Sequence, residues 1–504
     1  MTTAPMARVL FLSTLLIATC GLVYELVAGA LASYVLGDSV FQFSTIIGAY
    51  LTAMGIGSWL SRFIERDLVV RFIEVEIAVA LLGGFEAPIL LAGFTYTPGF
   101  RVVLYVVVAL VGIGVGLELP LLIRILESRT SLKELVARVL ALDYVGALAA
   151  SLLFPLFLLP QLGLLRTSLV LGLVNAAVAL WTTFIFEAPP AVLLRLRLMA
   201  SGAVLALATG LALAGEAEKR MEADLFADPV VMSVQTPYQR LVLTSSGGDT
   251  RLFIDGALQF SSVDEYRYHE ALVHPAMAAV VMPKRVLVLG GGDGMAVREA
   301  LKHPVDNVTL VDLDPEMTRL FTDRDDLARL NDFALRDPRV TIVNDDAFGW
   351  ARRYTGPDFD VVIGDFPDPN NFGLGKLYTV QFYRILDHLL ADGGVMAVQA
   401  TSPVFSPQAF SCIVETFKAA GYAARPFHQY VPAFGEWGFV LASRTEVSSF
   451  ARLPAGLRAL DDATLPTLFQ FPPDLAPKPD VVNRLDNQLL VRLYAEDWRV
   501  LAKR

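Results

Sequence analysis

The spacing of hydrophobic and polar residues changes near the middle of the chain. Up to about Gly215 long apolar runs dominate and charges are sparse; from Glu216 onward apolar and polar positions alternate in short segments. A bilayer core takes about 20 apolar residues per helix. Runs of that kind lie near 9–33, 40–61, 72–95, 101–123, 139–160, 166–186 and 196–215. They predict an N-terminal α-helical polytopic membrane bundle of about seven spans over residues 1–215. The first run is too long, and too closely followed by the second, for a cleaved signal peptide. Small residues stud the runs, as in "GAYLTAMGIGSW" and "GIGVGLELP", and let membrane helices approach closely.

Beyond the bundle the pattern predicts four further regions. Residues 216–228 read as a linker or short helix. Residues 229–283 form a small β-strand subdomain, because "VVMSVQTPYQRLVLTSS" and "TRLFIDGALQFSS" alternate in period two around "GGD". Over 284–450 strand segments ("RVLVLGG", "NVTLVDLD", "VTIVND", "FDVVIGD", "GVMAVQA", "GFVLAS") alternate with helical stretches, the mark of an α/β Rossmann-like doubly wound parallel sheet. The tail, 451–504, is proline-rich in its middle and ends in an amphipathic helix packed on the domain.

Charge and composition narrow the function. The 504 residues are 54% hydrophobic with a net charge of −10. No basic cluster is present to meet phosphates, which excludes a nucleic-acid partner. Cys20 and Cys412 lie one in each half, and the five histidines (His269, His274, His303, His388, His428) are scattered, so no disulfide framework and no metal site is expected. Basic residues gather after the second, fourth and sixth runs (Arg62, Arg66, Arg71; Arg124, Arg129, Lys133, Arg138; Arg195, Arg197). The positive-inside tendency then puts the N-terminus in the cytoplasm and, with seven spans, the polar half outside. Glu25, Glu74, Glu76, Glu86, Glu118 and Asp143 fall inside apolar runs, where charge is costly and marks function or a paired partner.

The chemistry centres on "VLVLGGGDGMAVRE", residues 286–299, a strand, glycine loop and helix. Such a loop offers close backbone approach and N–H donors to an anion. Asp293 inside it repels phosphate and attracts a cation instead. Asp312 ends the next strand, at the spacing that suits a ribose diol. Asp346 in "NDDAF" can accept from an adenine amine, and Ala347 leaves room for the ring. The set asks for an adenosine carrying a positive group, a sulfonium nucleoside. Asp365 ends the fourth strand, where open α/β sheets hold ligands, and Asp368 follows in the same loop. Two acids there can hold a diammonium substrate, with one taking a proton as general base.

The polar half resembles the polyamine aminopropyltransferase (spermidine synthase) family. The matching pieces are "PYQRL", "LFIDGALQFSSVDEYRYHEALVHP", "VLVLGGGDG", "VDLD", "DDA", "FDVVIGDFPDP" and "VMAVQ", in the family's order over roughly 229–445. The whole chain resembles the membrane-attached branch, in which a helical bundle precedes the synthase domain. The resemblance implies a methyltransferase-type Rossmann-like sheet, aminopropyl transfer from decarboxylated S-adenosylmethionine as co-substrate, no prosthetic group and no metal. Donor contacts would come from Gln239, Gln259, Asp293, Asp312, Asp346 and Ala347. Asp365 would be the general base, with Tyr268, His269, Asp368 and Gln399 around the acceptor, putrescine by first choice. It also implies a homo-oligomer, dimer or larger, in a bacterial inner membrane, catalysing on the cytoplasmic side where the donor is made. Three features depart from the soluble relatives: the loop "PNNFGLGKLY", Phe434 in place of a tyrosine, and aspartate at 312 in place of glutamate. Two rival readings are a membrane polyamine transporter or sensor with a synthase-like binding domain, and a methyltransferase using ordinary S-adenosylmethionine.

Overall fold

The computed structural model describes residues 4–36, 39–97, 99–127, 132–478 and 481–501; the expected interfacial residue Arg129 lies outside them. The chain divides into two compact units, Met1–Asp228 and Pro229–Arg504.

Among the described residues the first unit is built of helices: α1 (Ala4–Leu36), α2 (Ser39–Leu60), α3 (Leu68–Gly84), α4 (Glu86–Tyr96), α5 (Phe100–Glu127), α6 (Leu132–Leu153), α7 (Leu159–Ile185) and α8 (Pro190–Leu225). The third apolar run is broken at Phe85, where α3 and α4 meet at a 44° bend. Among the described residues five helical stretches are long and apolar enough to cross a membrane, or six with the bent pair counted as one span. One of the five, Lys133–Ile185, has 53 residues. Straight, it would reach about 80 Å at about 1.5 Å per residue. It folds back instead. A π-helical turn at Phe154–Leu158 and Gly163, at φ 71°, interrupt it. Pro155 and Pro160 flank the break, and each removes an N–H from the helical ladder. Across the break Thr167 Oγ1 donates to the Leu158 carbonyl at 3.2 Å. Thr19 and Cys20, neighbours on α1, reach the Gly146 carbonyl at 3.3 Å and the Leu171 carbonyl at 3.6 Å. Residues 25 apart in sequence would be about 38 Å apart on a straight helix, so α6 and α7 run antiparallel beside α1. The small residues act as expected: a side chain at Gly57 or Gly116 would meet the opposing backbone of α5 or α2. The 216–228 segment, expected as a linker or short helix, continues α8 through Leu225, because "EAEKRMEADL" consists of strong helix formers with few breakers.

The second unit opens with an antiparallel meander, β1 (Val230–Gln235), β2 (Arg240–Ser246), β3 (Asp249–Ile254) and β4 (Ala257–Ser261). Its last turn, Asp255–Gly256, has φ of 49° and 82°, the two left-handed residues a tight hairpin requires. Helix α9 (Glu265–Ala279) leads into the main sheet: β5 (Arg285–Gly290), β6 (Asn307–Asp312), β7 (Val340–Asn344), β8 (Phe359–Asp365), β9 (Leu390–Gln399), β10 (Ala423–Val431) and β11 (Gly435–Ser443). The order is β10-β11-β9-β8-β5-β6-β7. Strands β5 to β9 are parallel, but β11 is antiparallel to both β9 and β10, so the sheet is mixed and not all parallel as expected. Strand β10 escaped the sequence pattern because "AARPFHQYV" is an edge strand carrying Arg425 and Pro426, which edges tolerate.

Helices α10 (Met295–Leu301), α11 (Pro315–Asp323), α12 (Asp325–Ala328), α13 (Ala347–Arg353), α14 (Phe372–Gly375), α15 (Val380–Asp387) and α16 (Pro407–Ala420) cover the sheet. Alternate strand residues feed two cores: Val286, Val288 and Ile363 face one way, Leu287, Leu289 and Val362 the other. Burial on both faces explains the unbroken apolar runs. The tail ends in α17 (Leu489–Leu501), seated on α16 by Asp497, whose Oδ2 accepts from the Gln408 and Ala409 amides at 3.0 and 3.1 Å. The strand order reverses between β5 and β8, which opens a crevice beyond their C-terminal ends.

Candidate active site

Asp365 ends β8 at that crevice, directly beside Gly290 at the end of β5. The glycines let the loop close over it. Gly290, Gly291 and Gly294 have positive φ, and a Cβ at Gly291 would lie 2.7 Å from Asp365 Oδ2. One at Gly292 would lie 2.8 Å from the Asp312 carboxyl carbon. The loop is therefore built around the acids of β6 and β8.

Asp365 Oδ1 accepts from the Tyr268 hydroxyl at 2.7 Å, and His269 Nε2 stands 3.9 Å from Oδ2. Both come from α9, which brings consecutive side chains to the same carboxylate. His269 Nδ1 bonds Glu265 Oε2 at 2.8 Å, one turn back, and Arg298 of α10 grips Glu265 through two nitrogens at 3.0 and 2.8 Å. Burial alone would lower the imidazole pKa, but the Glu265 hydrogen bond and charge outweigh it and raise it to about 9. His269 is thus a cation at neutral pH. Burial raises the Asp365 pKa, while the His269 charge and the Tyr268 hydroxyl pull it back.

Asp293 lies in the loop itself, buried, with Oδ1 accepting from the Met295 amide at 2.9 Å. Asn331 holds its carbonyl at 2.7 Å. Burial, countered by His269 and reinforced by Asp365, pushes its carboxyl up to about 6. Asp312 takes the Gly292 amide on Oδ2 at 3.0 Å and the Asp314 amide on Oδ1 at 2.9 Å. Burial still pushes it up to about 7. Each of its oxygens keeps a lone pair for a further donor.

Asp346 caps α13, taking the Gly349 amide on Oδ2 at 2.9 Å, and Ala347 is the first residue of that helix. Its Oδ1 is engaged by Lys376 Nζ at 2.6 Å, from the loop that departs from the soluble relatives. Gln239 reaches the loop after β6 through Asp314: its Nε2 donates to Asp314 Oδ2 at 3.0 Å, beside Thr236 Oγ1 at 2.8 Å. Gln259 bonds its own strand, at the Ala257 carbonyl, 3.2 Å away. No hydrogen bond among the described residues draws it to the carboxylates.

Asp368, three residues beyond Asp365, neighbours Gln399 at the end of β9. Gln399 Nε2 donates to the Phe366 carbonyl at 2.7 Å and to Tyr378 Oη at 2.5 Å. Asp368 Oδ2 accepts from Tyr494 Oη at 2.7 Å, while its Oδ1 is buried without a partner. Burial pushes this carboxyl up to about 6, against the pull of Tyr494 and the neighbouring Gln399 and Thr401. Phe434, Trp437 and Phe439 wall the space beside Tyr268, with ring centroids at 6.3, 6.5 and 5.4 Å from its own.

Sequence reasoning missed four supporting residues. Glu265 carried a usable signal, since it stands four residues before His269 on a helix. Arg298, Asp314 and Tyr494 carried none, because their partners lie in distant segments.

Residues 265–451 match the family described as "Spermine/spermidine synthase domain". The chain is 48% identical over 494 residues to a polyamine aminopropyltransferase of Leptospira interrogans, covering 98% of this chain and 99% of that one. It is 51% identical over 501 residues to polyamine aminopropyltransferase 2 of Ralstonia nicotianae, covering 97% and 98%. A solved spermidine synthase from Thermotoga maritima is 24% identical, with a TM-score of 0.43 over 48% of this chain and 85% of that one.

Proposed function

Because the chain belongs to the polyamine aminopropyltransferase family, we propose that it transfers the aminopropyl group of decarboxylated S-adenosylmethionine to a diamine. Putrescine is the first-choice acceptor, with spermidine and methylthioadenosine as products. The observation that carries the reading is Asp365, held between the Tyr268 hydroxyl and the His269 cation where the glycine loop meets β8.

The acceptor amine must lose a proton before it can attack carbon, and Asp365 takes it as general base. The His269 charge favours the ionised form of that carboxylate against the burial that raises its pKa. Sulfonium is already a good leaving group, so the residues mainly align an in-line displacement and remove the proton. Asp293 pairs with the ammonium that decarboxylation leaves on the aminopropyl arm; the carboxylate of ordinary S-adenosylmethionine would be repelled there, which disfavours methyl transfer. Asp312 takes the ribose diol, with Gln239 and Gln259 closing over the nucleoside. Asp346 and Ala347 receive the adenine. Asp368, whose Oδ1 has no partner, takes the far ammonium of the diamine, with Gln399 fixing the wall behind it.

The test follows methylthioadenosine release from the decarboxylated donor and putrescine. Asp365→Asn should cost about a hundredfold or more in kcat while leaving donor affinity within about twofold. Equal loss of donor affinity would count against its role as base.

We further infer a multi-pass membrane protein. With α3–α4 taken as one broken crossing, and α6 and α7 as two that reverse at Gly163, the bundle crosses seven times. The donor is a cytosolic metabolite, which places the catalytic unit in the cytoplasm and the N-terminus outside, against the distribution of basic residues. A reporter fused after Leu501 that is active only in the cytoplasm tests this. A homo-oligomer, dimer or larger, is expected in detergent by light scattering.

A further inference from the structure

The helical unit has a polar interior of its own. Glu76 of α3 and Glu86 of α4 are fully buried, and Glu118 of α5 is 2% exposed. Neither oxygen of Glu76 or Glu86 has a hydrogen-bond partner, nor does Glu118 Oε1. Two uncharged polar side chains share this condition. Tyr24 of α1 is fully buried with its hydroxyl unpaired, in electrostatic reach of Glu118 and Glu86. Asn175 of α7, 1% exposed, has neither its side-chain nitrogen nor its oxygen bonded.

The helix packing brings these groups together. Ser168 Oγ donates to the Gly84 carbonyl at 3.1 Å, and Gly172 packs on Gly84 and Ala80. Helices α3 and α7 therefore run antiparallel, and Asn175, one turn beyond Gly172, falls level with Glu76. Glu118 lies in the field of Glu76 and Asp143, and Cys20, one turn before Tyr24, in that of Glu76 and Glu118.

The other acids of the bundle that form ion pairs do so with other partners: Glu74 with Arg71 and Arg195 at 2.7 and 3.0 Å, Glu134 with Arg138 at 2.5 Å, Glu216 with Lys219 at 3.3 Å and Glu218 with Arg166 at 3.6 Å. No cationic side chain among the described residues pairs with Glu76, Glu86 or Glu118. Glu86 has a partial offset, since it sits in the first turn of α4, where the helix dipole favours an anion. Glu76 and Glu118 have none. A buried carboxyl without a partner is costly whether charged or neutral, and is kept where a ligand supplies what the protein lacks. The break at Phe85 adds to this, because broken helices at membrane depth hold ions and substrates. Among the described residues no three His, Cys, Asp or Glu side chains converge as a metal shell would require. Glu76 and Glu118 lie in one another's field, while Glu86 stands ten residues on from Glu76 across the bend, at most about 15 Å at about 1.5 Å per residue; carboxylates at two such levels suit a ligand whose positive charges are themselves spaced along methylenes.

We propose that the interior between α1, α3, α5 and α7 binds a linear, multiply protonated amine. Glu76 and Glu118 together pair one ammonium group and Glu86 the next, and Tyr24 and Asn175 offer further oxygen acceptors. The choice of ligand class rests on the proposed function; the unpaired groups stand without it.

Equilibrium binding of radiolabelled spermidine to the full chain in lipid nanodiscs tests the proposal, with aminopropyl transfer assayed on the same preparation. Two sites per chain are expected. Asp368→Asn should remove one. Glu118→Gln should weaken the other at least about tenfold and leave transfer unchanged. Tyr24→Phe, which keeps the ring against Gly83, should weaken the same site about threefold and guards against a misfolded glutamate variant. A single site in the parent, or two sites untouched by both bundle substitutions, overturns the proposal. Loss of transfer in the parent with the bundle site intact overturns the proposed function instead.

Discussion

The hydroxyl of Tyr494 donates to Asp368 Oδ2 at 2.7 Å, across 126 residues of chain. Tyr494 belongs to α17, beyond residues 265–451 that match the family. The tail thus fixes one oxygen of Asp368, while the other, Oδ1, has no partner. Tyr494→Phe releases the carboxylate to rotate. The KM for putrescine should rise about five- to tenfold, the net worth of an ordinary intramolecular hydrogen bond, with kcat changed less. Steady-state kinetics at saturating donor checks this; an unchanged KM removes Tyr494 from the acceptor site.

The His269 cation lowers the pKa of Asp365, and burial raises it. His269→Gln removes the first and leaves the second. The acid limb of the kcat profile should therefore move to higher pH, because the base now ionises later. A pH–rate series on both proteins settles it, and coincident acid limbs would show that the imidazole does not act on Asp365.

Burial holds Asp293 near 6 and Asp312 near 7, against about 4 for a free aspartate. The native protein thus keeps protons that the unfolded chain has already lost. By linkage these two acids weaken the donor-free fold as pH rises from about 4 to 7. A cationic donor reverses the sign at Asp293 by favouring its ionised form. Donor binding near pH 6 should release protons, and affinity should climb from pH 5 to 7 by at most about tenfold per unit per proton. Calorimetry in two buffers of different ionisation heat measures the release, and Asp293→Asn should reduce it.

Lys376 engages Oδ1 of Asp346, the residue proposed to receive the adenine amine, at 2.6 Å, and its charge opposes that of the donor. Lys376→Met should lower the donor KM about two- to threefold, since a half-exposed ion pair contributes little by itself. A raised KM would mean that the lysine assists binding.

How much of this was legible in the sequence varies with distance along the chain. Strands β5, β6 and β8 stood out because burial on both faces leaves unbroken apolar runs ending in Gly290, Asp312 and Asp365. The acids at those ends followed directly. Strand β10 did not, since an edge strand tolerates Arg425 and Pro426 and so loses the pattern that marks the others. The reversal between α6 and α7 was legible as the gap between the runs 139–160 and 166–186, which holds Gly163, whereas the π-helical turn at Phe154–Leu158 left no mark in the pattern. Side-chain pairing was the least readable. Glu265 and His269 share a helix face, but Gln239 with Asp314 and Asp368 with Tyr494 are joined only by the tertiary fold.

Because α17 both braces α16 through Asp497 and holds Asp368 through Tyr494, the order of synthesis matters. A nascent chain can assemble the sheet while still tethered to the ribosome, since domains fold as they emerge. Its amine pocket stays unfinished until α17 has left the exit tunnel. The protein should therefore hold the sulfonium donor before it can use it, a delay that separates donor capture from turnover during biogenesis.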